Sequence, residues 1–286
     1  MPMILDKVSF AYEAGTAYEV QALDGVSLTI GDGEFVGIMG GTGCGKSTLI
    51  RLMAGLMVPS AGRVLLDGAD VNAKGYPRAL LRKSLGILFQ NPEYQLFETS
   101  VERDVAFGLK ESGLSREETA QRVRQALEQV GFDYGQIREQ SPLALSGGEK
   151  RRVAIAGVLV SRPKILIFDE PIAGLDPMGR RAFLDLVREL NGAGTTIIIV
   201  SHNADCLSEY AGRILVLQGG QLALDGPPEL VFSDLTRTKQ LSICAGQARL
   251  IADLLARRGM PIPSGTTRYS ALLAAVKQAL NGGACP

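Results

Sequence analysis

The feature that most constrains this chain is a glycine-rich segment between a strand pattern and a helix pattern. Residues 40–48 read Gly-Gly-Thr-Gly-Cys-Gly-Lys-Ser-Thr, and the short apolar run 36–39 precedes them. Glycines let backbone N–H groups turn toward an anion, and the following helix presents its positive end at the same place. A glycine-rich turn alone would not require Lys46 and Ser47 at this offset. The spacing therefore predicts a loop that binds the phosphates of a nucleoside triphosphate.

Within this loop the residue types indicate separate roles. Lys46 supplies a positive charge at the β and γ phosphates, and Ser47 supplies a hydroxyl ligand for Mg²⁺. The predicted ATP-binding residues of the loop are Gly40, Gly41, Thr42, Gly43, Cys44, Gly45, Lys46, Ser47 and Thr48.

Composition excludes several other classes of function. The chain has 286 residues, with 30 basic and 30 acidic side chains, so no excess charge favours nucleic acid as a partner. No apolar run approaches the roughly 18 residues of a membrane span, and the first residues lack the pattern of a secretory signal. We therefore expect a cytosolic chain. Its cysteines contain no C-x-x-C pair, which argues against a zinc site and a disulfide framework, and they are Cys44, Cys206, Cys244 and Cys285.

The periodicity along the chain predicts an α/β fold. Residues 4–30 alternate as strands around a glycine-containing loop, which predicts an antiparallel sheet before the phosphate loop. Leu49, Leu52, Met53 and Leu56 then follow helical spacing. Continuous apolar strands at 165–168 and 195–200, separated by a helix, predict a parallel sheet that is covered on both faces. Further helices are predicted at about 98–140, with one ending at Gly131, and at 248–258 and 270–280, the last ending at Gly282.

Two acids follow the apolar strand 165–168. The carboxyl end of such a strand is where ligands of open parallel sheets bind. Asp169 is suited to holding Mg²⁺, and Glu170 is suited to deprotonating the water that attacks the γ phosphate. Paired acids after a strand are also common as helix caps, but the phosphate loop upstream favours the catalytic interpretation.

The segment Leu-Ser-Gly-Gly-Glu at 145–149 narrows the class further. Ser146 and Glu149 could form an ordinary capping box, yet a cap does not need two adjacent glycines, whereas a helix start that approaches a phosphate does. With these motifs the sequence resembles the ATP-binding cassette (ABC) superfamily over about residues 3–246. The resemblance implies that Ser146, Gly147 and Gly148 complete the ATP site of a neighbouring subunit, so that two cassettes enclose two ATP molecules.

The same resemblance assigns the remaining site residues. It implies that Gln90 contacts Mg²⁺ and the γ phosphate, that residues 173–176 form the D-loop, and that His202 contacts the γ phosphate. Tyr12 is expected to stack on adenine, although its alternation with Val8 and Phe10 would equally suit core packing. The implied catalytic residues are Glu170, His202 and Gln90, and the implied Mg²⁺ ligands are Ser47, Gln90 and Asp169.

Within the superfamily the chain is most similar to the ATP-binding subunits of energy-coupling factor (ECF) transporters, in particular the second type of A subunit. The residues that carry this resemblance are Tyr12, 15–19, 90–97, 151–157 and 173–177. It implies that this chain pairs with a homologous A subunit, in a heterodimer or a homodimer. The pair would drive a membrane T component and a substrate-binding S component. Such a transporter imports a vitamin or a transition metal. The resemblance implies that this chain lies on the cytoplasmic face of the cell membrane as a peripheral subunit.

Alternatives within the superfamily are another importer, a non-transport ATPase and a degenerate cassette that binds ATP without hydrolysing it. The interval from Gln90 to Ser146 is too short for the long coiled coil of chromosome-binding members, and no second phosphate loop appears. The residues that argue against a degenerate cassette are all intact, and they are Lys46, Asp169, Glu170 and His202. Two departures from the common pattern are Glu149, where Gln is commoner, and Ile172, where Thr is commoner. We expect a capping box to turn the Glu149 carboxylate toward Ser146. An acid at this position should therefore change the rate of ATP turnover and not abolish it.

The predicted fold class is thus an α/β ABC-type nucleotide-binding domain with an antiparallel β subdomain, a helical subdomain and a short C-terminal helical extension. The expected ABC domain covers 3–246, with the helical subdomain at about 91–160. Residues 247–286 are expected to form a dimerisation extension, although an amphipathic helix pair could simply cover the domain. Tyr94, Leu96 and Phe97 are expected to dock the T component, unless they pack inside the helical segment.

Overall fold

Two sheets are present in the computed structural model, which describes residues 1–263 and 265–281. The strands are β1 (Met3–Tyr12), β2 (Val20–Ile30), β3 (Phe35–Gly40), β4 (Ala61–Leu66), β5 (Ala69–Asp70), β6 (Leu85–Leu88), β7 (Ile165–Asp169), β8 (Thr196–Val200), β9 (Arg213–Gln218) and β10 (Gln221–Gly226). The α-helices are α1 (Lys46–Met53), α2 (Arg78–Ser84), α3 (Val101–Phe107), α4 (Arg116–Gln129), α5 (Tyr134–Ile137), α6 (Gly147–Leu159), α7 (Pro177–Gly192), α8 (Ala204–Tyr210), α9 (Pro228–Val231), α10 (Leu235–Gln240), α11 (Gln247–Arg257) and α12 (Tyr269–Asn281).

The larger sheet is mostly parallel, as the continuous apolar runs predict. Its strand order is β10-β9-β3-β8-β7-β6, and only the edge strand β10 runs antiparallel to its neighbour. The smaller sheet has the order β2-β1-β4-β5 with antiparallel pairs throughout. The predicted α/β architecture is present: a mostly parallel sheet, an antiparallel β subdomain and C-terminal helices.

The two faces of the parallel sheet support two separate cores. Successive residues of a strand point to opposite faces. Ile197 and Ile199 accordingly pack in the core that includes α3, α4 and α6, whereas Ile198 and Val200 pack in the core that includes α1 and the antiparallel sheet. The phosphate-loop helix and the helix that begins after Ser146 therefore lie against opposite faces of the same sheet.

Strand register brings the predicted motifs to one edge of the parallel sheet. Leu88 of β6 pairs with Phe168 of β7, and Asp169 of β7 pairs with Val200 of β8. Val200 also pairs with Ile38 of β3. Residues that immediately follow these four strands consequently emerge side by side at the carboxyl edge, which is the ligand-binding edge of such sheets.

The first helix is shorter than the spacing of its apolar residues predicts. It ends at Met53 because Gly55 adopts a left-handed conformation with φ of 65°, and the Leu56 N–H donates to the Arg51 carbonyl at 2.9 Å. This is the geometry of a glycine C-cap. The prediction that Leu56 lies on the helix is wrong, and its side chain is exposed. At Gly131, by contrast, the predicted end of α4 is present, with φ of 81°.

The C-terminal helices pack on each other and on α8. Ala248, Ala252, Ile262 and Leu272 form a small core of their own. The Asp205 carboxylate of α8 accepts hydrogen bonds from the backbone N–H groups at the start of α11, at 2.9 and 3.1 Å. Both predicted C-terminal helices are thus present, while the domain limits at 246 and 286 stay predictions. Gly282, the predicted end of the last helix, and Cys285 lie outside the described residues.

Candidate functional site

The phosphate loop turns tightly between β3 and α1. Gly40, Gly43 and Gly45 have φ of 147°, 76° and 103°, a region that only glycine adopts readily. At Gly40 a Cβ atom would lie 2.3 Å from the Leu217 carbonyl oxygen, so the close packing of the loop on β9 also requires glycine there. The conformation leaves Thr42, Gly43 and Ser47 exposed at the start of α1.

The loop's side chains hold its shape. The buried Lys46 ammonium donates to the carbonyls of Gly40 and Gly41 at 2.8 and 2.9 Å, and lies 3.7 Å from the Cys44 sulfur. The Thr48 hydroxyl lies 3.0 Å from the Tyr12 hydroxyl. Tyr12 is therefore held beside the phosphate loop, where its half-exposed ring could meet a base. Stacking on adenine stays a prediction.

Asp169 ends β7 as a buried carboxylate. Burial raises the pKa of this carboxyl above its ordinary value, and the charges of Lys46 and Arg51 oppose the rise in part. Within the described residues its oxygens accept no side-chain or backbone N–H. A cation at this position would satisfy the carboxylate. Oxygen donors such as Asp169 and the exposed Ser47 hydroxyl are the ligands that Mg²⁺ prefers, so these residues fit that ion.

Glu170 follows directly and is held in a strained backbone conformation. Its φ is 49°, an uncommon region for a residue with a Cβ atom and one often found at functional sites. The backbone N–H of His202 donates to Glu170 Oε1 at 3.0 Å, and His202 Nε2 lies 3.4 Å from the same oxygen. Burial raises the pKa of Glu170, while the charge of His202 lowers it in part. A carboxylate with a raised pKa at the edge of the sheet is suited to accept a proton from water.

Gln90 emerges at the same edge, two residues after β6, and its side chain is exposed. Its backbone is held by Arg151 of α6, whose Nη2 donates to the Gln90 carbonyl at 3.1 Å and whose Nη1 donates to the Ala173 carbonyl. Ala173 lies in the segment that follows Glu170. One arginine thus contacts two loops of the site.

The segment at 145–149 begins α6 at the surface. Ser146 is the N-cap, and its hydroxyl and backbone N–H both donate to the Glu149 carboxylate, at 2.7 and 2.9 Å. These hydrogen bonds hold the pKa of Glu149 below its ordinary value. The predicted capping box is present. A Cβ atom at Gly147 or Gly148 would have no neighbour within 4 Å among the described residues, so packing within this part of the chain does not explain why both residues are glycine.

The structure brings together most, but not all, of the residues that the sequence predicts for the site. Residues 40–48, Gln90, Asp169, Glu170 and His202 lie at the carboxyl edge of the parallel sheet, and Tyr12 is bonded to the phosphate-loop helix. Ser146, Gly147 and Gly148 begin a helix that packs against the opposite face. The structure therefore does not bring these three residues together with the rest of the site, and their expected role in ATP binding stays a prediction.

The predicted docking cluster divides in two. Tyr94 and Phe97 are 84% and 62% exposed, whereas Leu96 is 8% exposed and packs in the core. For Leu96 the structure supports the alternative of internal packing, while docking of the T component by this cluster stays a prediction. The Asp104 carboxylate accepts from the backbone N–H groups of Phe97 and Glu98, each at 2.9 Å, and so holds Phe97 outward.

Comparison with known proteins was consistent with this arrangement. Residues 23–173 match the ABC transporter family. The chain is 44% identical over 282 residues to "Energy-coupling factor transporter ATP-binding protein EcfA2" of Symbiobacterium thermophilum, covering 99% of this chain and 98% of the relative. It is 45% identical over 264 residues to the protein of the same name from Caldanaerobacter subterraneus, with 92% of both chains covered.

Solved structures show the same fold. One is cbiO1 of Clostridium perfringens, described as part of the ABC transporter complex cbiONQ, with a TM-score of 0.73, 37% identity and coverage of 89% of this chain and 98% of that one. Another is a dimeric ATP-binding cassette in a post-hydrolysis state bound to ADP and Pi, with a TM-score of 0.72, 28% identity and coverage of 79% and 98%. No helix within residues 1–263 and 265–281 is long and apolar enough to cross a membrane.

Proposed function

The chain belongs to the ABC transporter family and, within it, to the ATP-binding subunits of energy-coupling factor transporters, and we propose that it hydrolyses ATP as one half of a paired motor. Its activity is that of a transport-coupled ATPase. The observation that supports the residue roles is that the predicted site residues lie together at one edge of the sheet. They are the phosphate loop, Gln90, Asp169, Glu170 and His202.

Each side chain has a role that follows from its placement. The backbone of 40–48 and the Lys46 ammonium bind the phosphates of ATP, and Tyr12 stacks on the adenine. Glu170 takes a proton from the attacking water, and His202 and Gln90 contact the γ phosphate. The hydrogen bond from the His202 N–H orients the Glu170 carboxylate toward this task.

Mg²⁺ is the metal that these residues fit, and Ser47, Gln90 and Asp169 would hold it. The ion would neutralise charge on the β and γ phosphates when it is bound. The Asp169 carboxylate is buried and accepts no hydrogen bond from the part of the chain that the structure describes, which supports this role. A single carboxylate is sufficient, since Mg²⁺ usually keeps several waters and substrate phosphates as ligands.

The complete ATP site needs a second cassette. Ser146, Gly147 and Gly148 lie on the surface, at the start of α6, and their helix packs on the face of the sheet opposite to α1. We infer that they bind the ATP held by a homologous A subunit, in a heterodimer or a homodimer. The exposed leucines of α11 and α12, which include Leu250, Leu254 and Leu273, support a role for residues 247–286 in holding the two subunits together.

The surface around Phe97 is proposed to bind the transmembrane T component. Phe97 packs edge-on against Phe107 with ring centroids 4.9 Å apart, and both rings are exposed. Beside Phe107 lies a cleft of about 560 Å³ whose apolar lining includes Leu80, Leu109 and Val158. An exposed apolar surface that continues into a cleft is suited to bind a helix of a partner protein. Tyr94 would extend this surface.

The proposed assembly lies at the cytoplasmic face of the cell membrane, where this chain is peripheral. The T component would link it to a separate S component that binds the imported vitamin or transition metal. Nucleic acid is not expected as a partner, because the chain has no excess of basic residues.

Affinity purification from membranes in detergent tests this proposal. With a tag on this chain we expect a homologous ATPase, or a second copy of the chain, and two integral membrane proteins to co-purify, and the complex to hydrolyse ATP. Recovery of the chain alone from membranes that contain the candidate subunits would contradict the proposal.

A further inference from the structure

The Arg151 guanidinium connects helix α6 to two loops of the site. Arg151 lies on the second turn of α6, the helix that begins after Ser146. It donates to the carbonyls of Gln90 and Ala173. The Ala173 N–H in turn donates to the Glu170 carbonyl at 3.2 Å, so the contact reaches the backbone of the predicted base.

Arg151 has an unfavourable environment for a cation. It is 8% exposed, and none of the residues described in the structure places a carboxylate within ion-pair distance of it. Its Nε is buried without a hydrogen-bond partner, and burial lowers the pKa of the group. The charge of Glu93 opposes this lowering in part, but without a direct ion pair a buried charge is seldom the most stable solution for packing. The compensating interactions are the two carbonyls, which belong to different loops and which the planar fork of arginine can reach together.

These contacts link residues that act on two different ATP molecules, if the proposed function holds. Gln90 and Glu170 face the ATP of this chain, whereas Ser146 and Gly147 face the ATP of the partner. Gly147 and Arg151 are four residues apart on one rigid helix, about 6 Å along its axis. A displacement of either loop will therefore move the start of α6.

We propose that Arg151 is a positioning residue that couples the two ATP sites of the paired cassettes. When the γ phosphate draws Gln90 and the segment after Glu170 into place, their carbonyls carry Arg151 and the start of α6 with them. The Ser-Gly-Gly segment then reaches the position in which it closes the partner's site. This proposal rests on the proposed function and adds a residue to it.

Arg152 provides a matched control from the same helix. Its guanidinium lies 4.1 Å from the ring centroid of Phe132 and donates to the carbonyls of Val130 and Gly131. These contacts stay within the helical segment and touch neither Gln90 nor Ala173. Arg152→Met removes the same charge as Arg151→Met and retains a similar apolar stem.

The test compares the wild-type chain with Arg151→Met, Arg151→Lys and Arg152→Met in the transporter complex purified in detergent. ATP hydrolysis gives kcat and the Hill coefficient, while fluorescent-nucleotide binding and thermal unfolding of the isolated full-length chain report on its own site and its fold. For Arg151→Met we expect kcat to fall about tenfold or more, since displacing reacting groups by about 1 Å costs up to about 10²-fold. The Hill coefficient should fall toward 1, because it measures the coupling between the sites.

The other measurements separate coupling from folding. The nucleotide dissociation constant of Arg151→Met should lie within about twofold of the wild-type value. This change in affinity is small, since a tenfold change corresponds to about 1.4 kcal/mol. Arg151→Lys should give an intermediate kcat, because an ammonium lacks the planar fork. Arg152→Met should keep the wild-type kcat and Hill coefficient.

The proposal is overturned by wild-type kcat and Hill coefficient in Arg151→Met, or by equal losses in Arg151→Met and Arg152→Met. If Arg151→Met does not fold, wild-type values in Arg151→Lys overturn it. The proposal is also overturned if the wild-type complex hydrolyses ATP with a Hill coefficient of 1. A wild-type complex that does not hydrolyse ATP contradicts the proposed function instead.

Discussion

Glu170 is the residue whose loss we expect to affect hydrolysis most. In Glu170→Gln the side-chain amide oxygen can still accept from the His202 N–H, now 3.0 Å from Oε1, but the amide cannot take a proton from water. Removing a general base costs about 10²- to 10⁴-fold in rate. We expect ATP binding to persist and an ATP-bound dimer to accumulate, as measured by turnover and by size-exclusion chromatography with ATP.

Glu128→Gln is the control for this substitution. Glu128 lies on α4 and pairs with Arg124 at the exposed surface of the helical segment, so its neutralisation should leave turnover unchanged. Equal rates of hydrolysis in wild type and Glu170→Gln would show that Glu170 is not the base.

The environment of Glu170 also predicts the pH dependence of hydrolysis. A base acts only when deprotonated, and burial raises the pKa of Glu170 above its ordinary value of 4.5. Turnover at saturating ATP should therefore decline on acidification at a higher pH than an ordinary glutamate would give. The same shift means that the folded state favours the protonated carboxyl, so this group stabilises the fold less as the pH rises through its pKa. A constant turnover down to about pH 5 would contradict the raised pKa.

Individual residues differ in how well the sequence predicts their roles. Lys46, Asp169 and Glu170 are identifiable because their chemistry requires a fixed residue type next to a glycine-rich turn or an apolar strand. Arg151 and Asp104 leave no such pattern. Arg151 binds a backbone carbonyl of a loop that is distant in the sequence. Asp104 binds backbone N–H groups nearby in the sequence, but this contact depends on the local path of the chain. A charged residue among the apolar residues of a helix would be the available signal, but sequence alone does not show that it is buried.

At the scale of elements, the segment after Gln90 is expected to dock the T component. Tyr94→Ala combined with Phe97→Ala removes two exposed rings and no core contact, so the fold should be retained while the T component is lost from affinity-purified complexes. Truncating aromatic anchors at an interface typically costs about 2 kcal/mol or more each, a loss of about thirtyfold. The measurement is the ratio of T component to this chain in the eluate.

Leu230→Ala serves as the control for docking, since Leu230 is a comparably exposed apolar residue on α9. It should leave the ratio unchanged. A full complement of T component in the double variant would show that another surface holds the membrane subunits.

The C-terminal helices make a second prediction at this scale. Leu250→Glu with Leu254→Glu places two charges on the exposed face of α11, while the buried Ala248 and Ala252 of that helix remain. The paired ATPase subunits should then separate at concentrations where the wild-type pair stays together, because a charge buried at an interface is costly. Sedimentation velocity measures this, with Val58→Glu as an exposed control outside the extension. Unchanged association would indicate that α11 and α12 only cover the domain.

Elements were predictable where periodicity extends over several turns or a whole strand. The strands β7 and β8 and the helices α4, α11 and α12 meet that condition. Gly55 shows why a boundary was missed: its left-handed conformation ends α1 before Leu56, and a single glycine within an apolar spacing does not indicate this. Leu96 shows the same limit for burial, because Tyr94 and Phe97 close to it in the sequence are also large and mostly apolar but are exposed. The short elements β5, α2, α9 and α10 contain too few residues for a period to be recognised.

For the whole molecule, the division of the motifs between two faces of one sheet is the central feature. The phosphate loop and α1 belong to one core and α6 to the other, so Ser146 and Gly147 begin a helix on the opposite face from the loop of the same chain. Two chains placed head to tail would supply each site with both parts. The proposed function therefore predicts that a single chain binds ATP but hydrolyses it only after pairing.

The dependence of hydrolysis on concentration tests this claim most directly. The rate of ATP hydrolysis per chain is measured for the purified ATPase subunits, without membrane components, as they are diluted through the range in which sedimentation shows the pair to dissociate. We expect the rate per chain to fall in parallel with the paired fraction, and nucleotide binding to the single chain to persist. A constant rate per chain, maintained after the pair has dissociated, would contradict the account.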